Sequence, residues 1–115
     1  MKSILIVDDE IDIREATRAI LEDEGYWVDT CGNGVEALST LSVAKTDLAI
    51  IDLMMPRMNG LETIEELSRR EGLARLPVIL MSAINPTATG RWRAFLKKPF
   101  SLEQLLTTVR GIIGA

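Results

Sequence analysis

The chain has 115 residues, of which 47% are hydrophobic and 26% are charged, and its net charge is −4. This length and this balance are typical of a single globular domain, spanning residues 1–115, with enough apolar residues for a buried core. The negative charge argues against direct nucleic acid binding, which requires a clustered basic surface, because the Lys and Arg residues here are scattered along the chain.

The cysteine content and the apolar runs indicate where the protein acts. The lone Cys31 excludes an internal disulfide and fits a reducing compartment. No apolar run approaches the roughly 20 residues that cross a membrane. Met1-Lys2-Ser3 leads into the first apolar run and leaves no room for a signal peptide. We therefore expect a cytoplasmic protein with no membrane partner.

Strand-like apolar runs alternate with helical spacing in the first half of the chain. In order, we predict a strand at about residues 3–8, a helix that ends before Gly25, a strand at 26–31, a helix capped by Asn33, and a strand that ends at Asp52. The third strand is apolar at four successive positions, which is typical of a strand buried on both faces.

The second half continues the alternation. We predict a helix that starts near Leu61, a strand at 77–82, a short strand at 94–97, and a final helix for which Ser101 and Gln104 form a capping box. Strands that alternate with helices indicate an α/β fold with a parallel sheet. The last two strands are separated only by residues 83–93, which contain Pro86 and Gly90. Since a crossover needs at least about 10–12 residues with its helix, we predict a fourth helix that is shortened or irregular.

Acidic residues follow two of the predicted strands. Asp8 and Asp9 come after the first strand, and Asp52 ends the third. The carboxyl ends of parallel strands are where open sheets bind ligands. Each acid alone could be a cap or turn residue, but three that converge within roughly 4–6 Å repel one another unless a cation lies between them. Mg²⁺ suits such oxygen ligands, and a carboxylate can act as a nucleophile that forms an aspartyl phosphate.

Two further strand ends supply groups that this chemistry needs. Ser82 ends the fourth strand and offers a hydroxyl donor, and Lys98 follows the fifth and offers a cation for phosphoryl oxygens. Taken singly, each is an ordinary loop or surface residue. At the same sheet edge as three aspartates, they indicate one site. Pro99 makes the bond after Lys98 a candidate for the cis form.

These motifs together resemble the receiver domain of two-component response regulators. The resemblance covers the whole chain and is carried by four segments in order: Val7-Asp8-Asp9-Glu10, Asp52-Leu53-Met54-Met55-Pro56 with Asn59-Gly60, Ser82-Ala83, and Lys98-Pro99-Phe100. The resemblance implies a flavodoxin-like three-layer sandwich with a five-stranded parallel sheet in the order 2-1-3-4-5. The short 83–93 segment departs from the family, in which a full helix normally lies there.

The resemblance also implies roles for individual residues. Asp52 would accept a phosphoryl group from a histidine kinase or a phosphotransfer protein. Mg²⁺ would be bound by Asp9, Asp52 and the backbone carbonyl of Met54, and by Asp8 through water. Lys98 would bind the phosphoryl group, and Ser82 and Phe95 would form the switch pair. The domain would then signal to an output domain or effector protein by a population shift between two conformations. A homodimer is left open.

Three alternatives compete with this interpretation. A degenerate receiver that serves only for docking is disfavoured because competent residues occupy all the chemical positions. A phosphatase or phosphotransferase with an aspartyl-phosphate intermediate usually needs an acid two residues after the nucleophile, where this chain has Met54. A flavin-binding flavodoxin relative would need a phosphate-cradling Ser/Thr/Gly loop after the first strand, and that loop is missing. We therefore expect a phosphoacceptor signalling domain and not an enzyme.

Overall fold

The alternation of strands and helices folds as predicted, in a computed structural model that describes residues 1–87 and 89–114. The elements are β1 (Ser3–Val7), α1 (Ile11–Asp23), β2 (Trp27–Cys31), α2 (Gly34–Val43), β3 (Leu48–Asp52), α3 (Gly60–Arg69), β4 (Val78–Ser82), β5 (Ala94–Lys97) and α4 (Leu102–Ile113). All neighbouring strands are parallel, and their order is β2-β1-β3-β4-β5. The predicted flavodoxin-like sheet is confirmed.

Helices cover both faces of the sheet, which gives the predicted three layers. Successive side chains of a strand point to opposite faces, so each strand contributes to two cores. On one face, Leu5, Ile51 and Leu80 pack with buried residues of α2 and α3. On the other face, Ile50 and Ile79 pack with buried residues of α1 and α4. This burial on both sides explains why β3 and β4 are apolar at nearly every position.

Three strand boundaries differ from the prediction by one residue each. Tyr26 is excluded from β2 because its backbone N–H bonds to the carbonyl of Leu21 at the end of α1. Pro77 precedes β4 because proline has no N–H to donate to a ladder. Asp8 follows β1, and its carboxylate accepts a hydrogen bond from the N–H of Glu10.

The predicted helix caps are confirmed. The Asn33 side chain accepts from the N–H of Glu36, and Ser101 with Gln104 forms a reciprocal capping box at the start of α4. At α1 the N-cap residue is Glu10, whose side chain makes no cap hydrogen bond. The Glu10 carboxylate is therefore free to take part in other interactions.

The crossover between β4 and β5 is irregular, as the sequence predicts. Among residues 83–87 and 89–93 the structure has bends and irregular backbone but no helix. Trp92 is half-buried and packs against the core between the sheet and helices α2 and α3. None of the helices in the residues described is long and apolar enough to cross a membrane.

Candidate functional site

The predicted site residues lie at the carboxyl edge of the sheet. Asp8 directly follows β1, Asp52 is the last residue of β3, and Lys98 directly follows β5. Strand β1 lies beside β3, and β4 separates β3 from β5, so the long Lys98 side chain has to cross the end of β4. The backbone N–H of Lys98 donates to the Ser82 carbonyl at 2.8 Å, which holds the start of that side chain against β4.

The Lys98 ammonium group lies among three carboxylates. Its Nζ atom is 2.9 Å from Asp8 Oδ2, 3.3 Å from Asp52 Oδ2 and 3.5 Å from Glu10 Oε1. The side chains of Asp8 and Asp52 are buried, and that of Lys98 is only 11% exposed. The Glu10 side chain is 60% exposed and forms the open side of the cluster.

Burial shapes the ionisation of this cluster. Burial raises the pKa of Asp52, the Lys98 ammonium lowers it and the charge of Asp8 raises it, and the net result is a pKa of about 6. Burial alone would lower the pKa of Lys98, but the hydrogen bond to Asp8 and the charges of Asp52 and Asp8 hold its pKa above the usual value. The lysine therefore stays charged, and Asp52 is ionised above about pH 6.

Backbone groups fix the orientation of the two buried carboxylates. The N–H of Met54 donates to Asp52 Oδ1 at 3.3 Å, and the N–H of Glu10 donates to Asp8 Oδ1 at 2.9 Å. Behind Asp52, the first residue of α3 is Gly60, where a Cβ atom would lie 2.5 Å from the Asp52 carbonyl oxygen. The helix can approach the end of β3 this closely only because that residue has no side chain.

The three carboxylates form a set that could hold a metal ion. One oxygen each from Asp8, Glu10 and Asp52 lies within 4.8 Å of the others. With all three ionised, their negative charges exceed the single positive charge of Lys98, and oxygen donors are what Mg²⁺ prefers. The donor chemistry and the unbalanced negative charge thus fit a divalent cation.

The members of this set differ from the predicted metal ligands at Asp9 and Glu10. Asp9 is exposed and does not belong to the set, so its predicted role as a direct ligand stays a prediction. The carbonyl ligand predicted at Met54 also stays a prediction. Glu10, for which the sequence predicted no role, does lie in the set. Its position beside two aspartates at the first strand end was the available signal.

The predicted switch residues lie on neighbouring strands. Ser82 is fully buried at the end of β4, and its hydroxyl oxygen accepts a hydrogen bond from the N–H of Ile84 at 3.2 Å. Phe95 is half-buried in β5 and packs against the core under α2 and α3. The bond between Lys98 and Pro99 is cis. The roles of Ser82 and Phe95 in switching stay predictions.

Known proteins share this architecture. The profile of the response regulator receiver domain matches residues 4–110. The chemotaxis response regulator CheY4 of Vibrio cholerae is 30% identical, with a TM-score of 0.90 over 97% of this chain and 98% of that one. The response regulator TrrA of Thermotoga maritima, solved in complex with Mg²⁺–BeF, is 34% identical, with a TM-score of 0.88 over 97% and 99% of the two chains.

A longer regulator is also similar in sequence. The response regulator MprA of Mycobacterium ulcerans is 35% identical over 116 residues, which are 96% of this chain but 49% of that protein. This chain thus spans about half the length of the regulators of this type that it matches. The receiver profile matches almost the whole chain, the fold is shared, and the set of Asp8, Glu10 and Asp52 fits a divalent cation. We conclude that this chain belongs to the family of response regulator receiver domains.

Proposed function

We propose that Asp52 accepts a phosphoryl group from a phosphohistidine of a histidine kinase or phosphotransfer protein. The observation that carries this proposal is the placement of Lys98 Nζ, 3.3 Å from a buried Asp52 carboxylate and 2.9 Å from Asp8. A buried carboxylate with one nearby ammonium is a nucleophile with a cation in position for the phosphoryl oxygens. An Asp52 oxygen attacks phosphorus, and the donor's P–N bond breaks.

The chain's other residues have supporting roles in this step. Asp8 and Asp52, with Asp9 and the Met54 carbonyl as predicted further ligands, would hold Mg²⁺. When bound, Mg²⁺ supplies charge that screens the dianionic phosphoryl group from the carboxylates. Lys98 neutralises phosphoryl oxygens, and the Ser82 hydroxyl donates a hydrogen bond to one of them once the group is attached.

The phosphorylated domain then changes conformation. A new partner for the Ser82 hydroxyl would draw it from its present contact with the Ile84 N–H, and Phe95 on the adjacent strand would repack. This biases a two-state equilibrium and thereby signals to an output domain or an effector protein. In this proposal the domain is a phosphoacceptor that takes part in its own phosphorylation and dephosphorylation, and it turns over no separate substrate.

Mass spectrometry of the intact protein tests this function. Incubation with acetyl phosphate and Mg²⁺ should add one phosphoryl group, and a chelator should prevent the addition. Asp52→Asn should abolish labelling, whereas Asp47→Asn, which removes an aspartate that bonds the Ser3 N–H away from the site, should not. Equal labelling of wild type and Asp52→Asn would overturn the proposal.

Metal binding is tested separately by calorimetry. Asp9→Ala should weaken Mg²⁺ binding severely if Asp9 is a direct ligand, as predicted. Unchanged affinity in this variant would assign the metal to Asp8 and Asp52 without Asp9.

A further inference from the structure

Glu10 belongs to the candidate metal set, but neither the sequence nor the proposed function gives it a role in phosphoryl transfer. Its carboxylate is 3.5 Å from Lys98 Nζ, and one of its oxygens lies within 4.8 Å of an Asp52 oxygen. Its side chain is 60% exposed, and it makes no hydrogen bond as the N-cap of α1. A negative charge therefore stands on the solvent side of the nucleophile.

The solvent side is where the leaving group of a phosphodonor must lie. In phosphoryl transfer the attacking and leaving atoms are roughly in line with phosphorus. The attacking oxygen of Asp52 is buried at the floor of the site, so the donor enters, and its leaving group departs, on the open side beside Glu10. Charge that develops on the leaving group is thus formed close to the Glu10 carboxylate.

Phosphodonors differ in this charge. In an acyl phosphate the P–O bond breaks, and the oxygen keeps the electron pair and leaves as a carboxylate anion. In a phosphohistidine protonated on its other ring nitrogen, or a phosphoramidate protonated on its amino nitrogen, the P–N bond breaks, and the nitrogen keeps the electron pair and leaves as neutral imidazole or ammonia. A fixed carboxylate at the exit raises the energy of the first transition state and has little effect on the second.

We propose that Glu10 is a specificity-determining residue that disfavours acyl phosphates relative to donors with a neutral nitrogen leaving group. This inference rests on the proposed function, and it names the class of donor that the site favours: a phosphorylated histidine presented by a protein. Glu10 thereby limits phosphorylation of Asp52 by small metabolites with an acyl phosphate group.

The test compares two small donors of similar size on the same protein. The rate constants of Asp52 phosphorylation by acetyl phosphate and by phosphoramidate are measured at saturating Mg²⁺ for wild type and Glu10→Gln. The substitution keeps the shape and removes the charge. We expect the acetyl phosphate reaction to speed up roughly threefold to tenfold at low ionic strength, and the phosphoramidate reaction to change less than about twofold. Because the effect is electrostatic, it should shrink as salt is added.

Two controls separate this role from other roles of Glu10. Glu15→Gln removes an exposed charge from the same helix outside the cluster and should leave both rates unchanged. Calorimetry sets, for each protein, the Mg²⁺ concentration that saturates its site, so that a change in metal affinity on Glu10→Gln does not enter the comparison of the two donors.

Each remaining outcome counts against the inference. Equal acceleration with both donors would overturn it, because Glu10 would then act through Lys98 or the metal. The inference would also be overturned if Glu10→Gln did not speed up the acetyl phosphate reaction. The same holds if acetyl phosphate reacted with neither protein. Labelling of Asp52 by phosphoramidate would sustain the proposed function in either case, and labelling by neither donor would overturn both.

Discussion

The contact between α3 and the end of β3 depends on Gly60. A Cβ atom there would lie 2.5 Å from the Asp52 carbonyl oxygen and 2.8 Å from the Leu53 Cα atom. Both distances are about 1 Å shorter than an ordinary van der Waals contact distance. The obstructing atoms are backbone atoms of the central strand and its end, so no side-chain rotation relieves the overlap. Gly60→Ala must therefore move the first turn of α3.

Overpacking of this kind costs about 1–3 kcal/mol of unfolding free energy. The gain in helix propensity from Ala is small at a first helical position, so we expect a net loss of about 2 kcal/mol. At a urea slope of about 2 kcal/mol per molar, the unfolding midpoint should fall by about 1 M. Urea unfolding followed by circular dichroism measures this shift.

The same substitution at Gly111 is the matched control. Gly111 lies within α4, where a new Cβ would have no atom within 4 Å. Gly111→Ala should stabilise the protein by up to about 1 kcal/mol, because Ala is the better helix former. Two Gly→Ala substitutions should thus change the free energy of unfolding in opposite directions. A Gly60→Ala protein as stable as wild type would refute the claim that α3 packs directly on the backbone of Asp52.

Three further predictions concern the site and the crossover. The pKa of Asp52 is raised from the usual 3.8 to about 6, chiefly by burial, so the stability that its protonated form contributes is lost as pH rises through 6. With a metal chelator present, the unfolding free energy of Asp52→Asn should exceed that of wild type by up to about 3 kcal/mol at pH 8, and the difference should close toward pH 4. A difference in urea unfolding that does not change with pH would contradict this. Met54 and Ile84 are exposed apolar residues whose backbone N–H groups bond the side chains of Asp52 and Ser82. We expect their side chains to exclude water from the phosphoryl group without orienting it, so Met54→Asn and Ile84→Glu should both shorten the aspartyl-phosphate lifetime; lifetimes no shorter than in wild type would argue against shielding. Residues 84–87 and 89–92 lie in an irregular segment, so their amide exchange should be fast compared with that of α4, and Trp92 emission in a Trp27→Phe background should change on phosphorylation. Strong protection of these residues would contradict the expectation that the segment is mobile.

The sequence predicts most of the fold because its physical signals are local and consistent. Four successive apolar residues before Asp52 indicate a strand buried on both faces, and the Ser101–Gln104 pair marks the start of the last helix. The short length of segment 83–93, together with Pro86 and Gly90, predicts a shortened or irregular fourth helix, and residues 83–87 and 89–93 contain no helix. The boundaries that differ were decided by single backbone hydrogen bonds, such as that of the Tyr26 N–H to the Leu21 carbonyl.

The site was predicted less completely because its geometry depends on contacts between distant residues. The sequence places Asp8, Asp52 and Lys98 at the same edge, but it does not predict that Lys98 Nζ would contact both aspartates. It also does not distinguish Asp9 from Glu10, two adjacent acids after the same strand. Which of them turns toward Asp52 depends on how the chain enters α1, where Glu10 is the N-cap residue.

The central claim is that the phosphoryl group is attached to the carboxylate of Asp52. The most direct measurement is peptide mapping after treatment with a phosphodonor and Mg²⁺ and trapping with borohydride, which reduces an aspartyl phosphate to homoserine. The account predicts conversion at position 52, none at Asp8 or Asp9, and none when a chelator replaces Mg²⁺. Conversion at another aspartate with Asp52 intact, or equal conversion in the chelator, would contradict it.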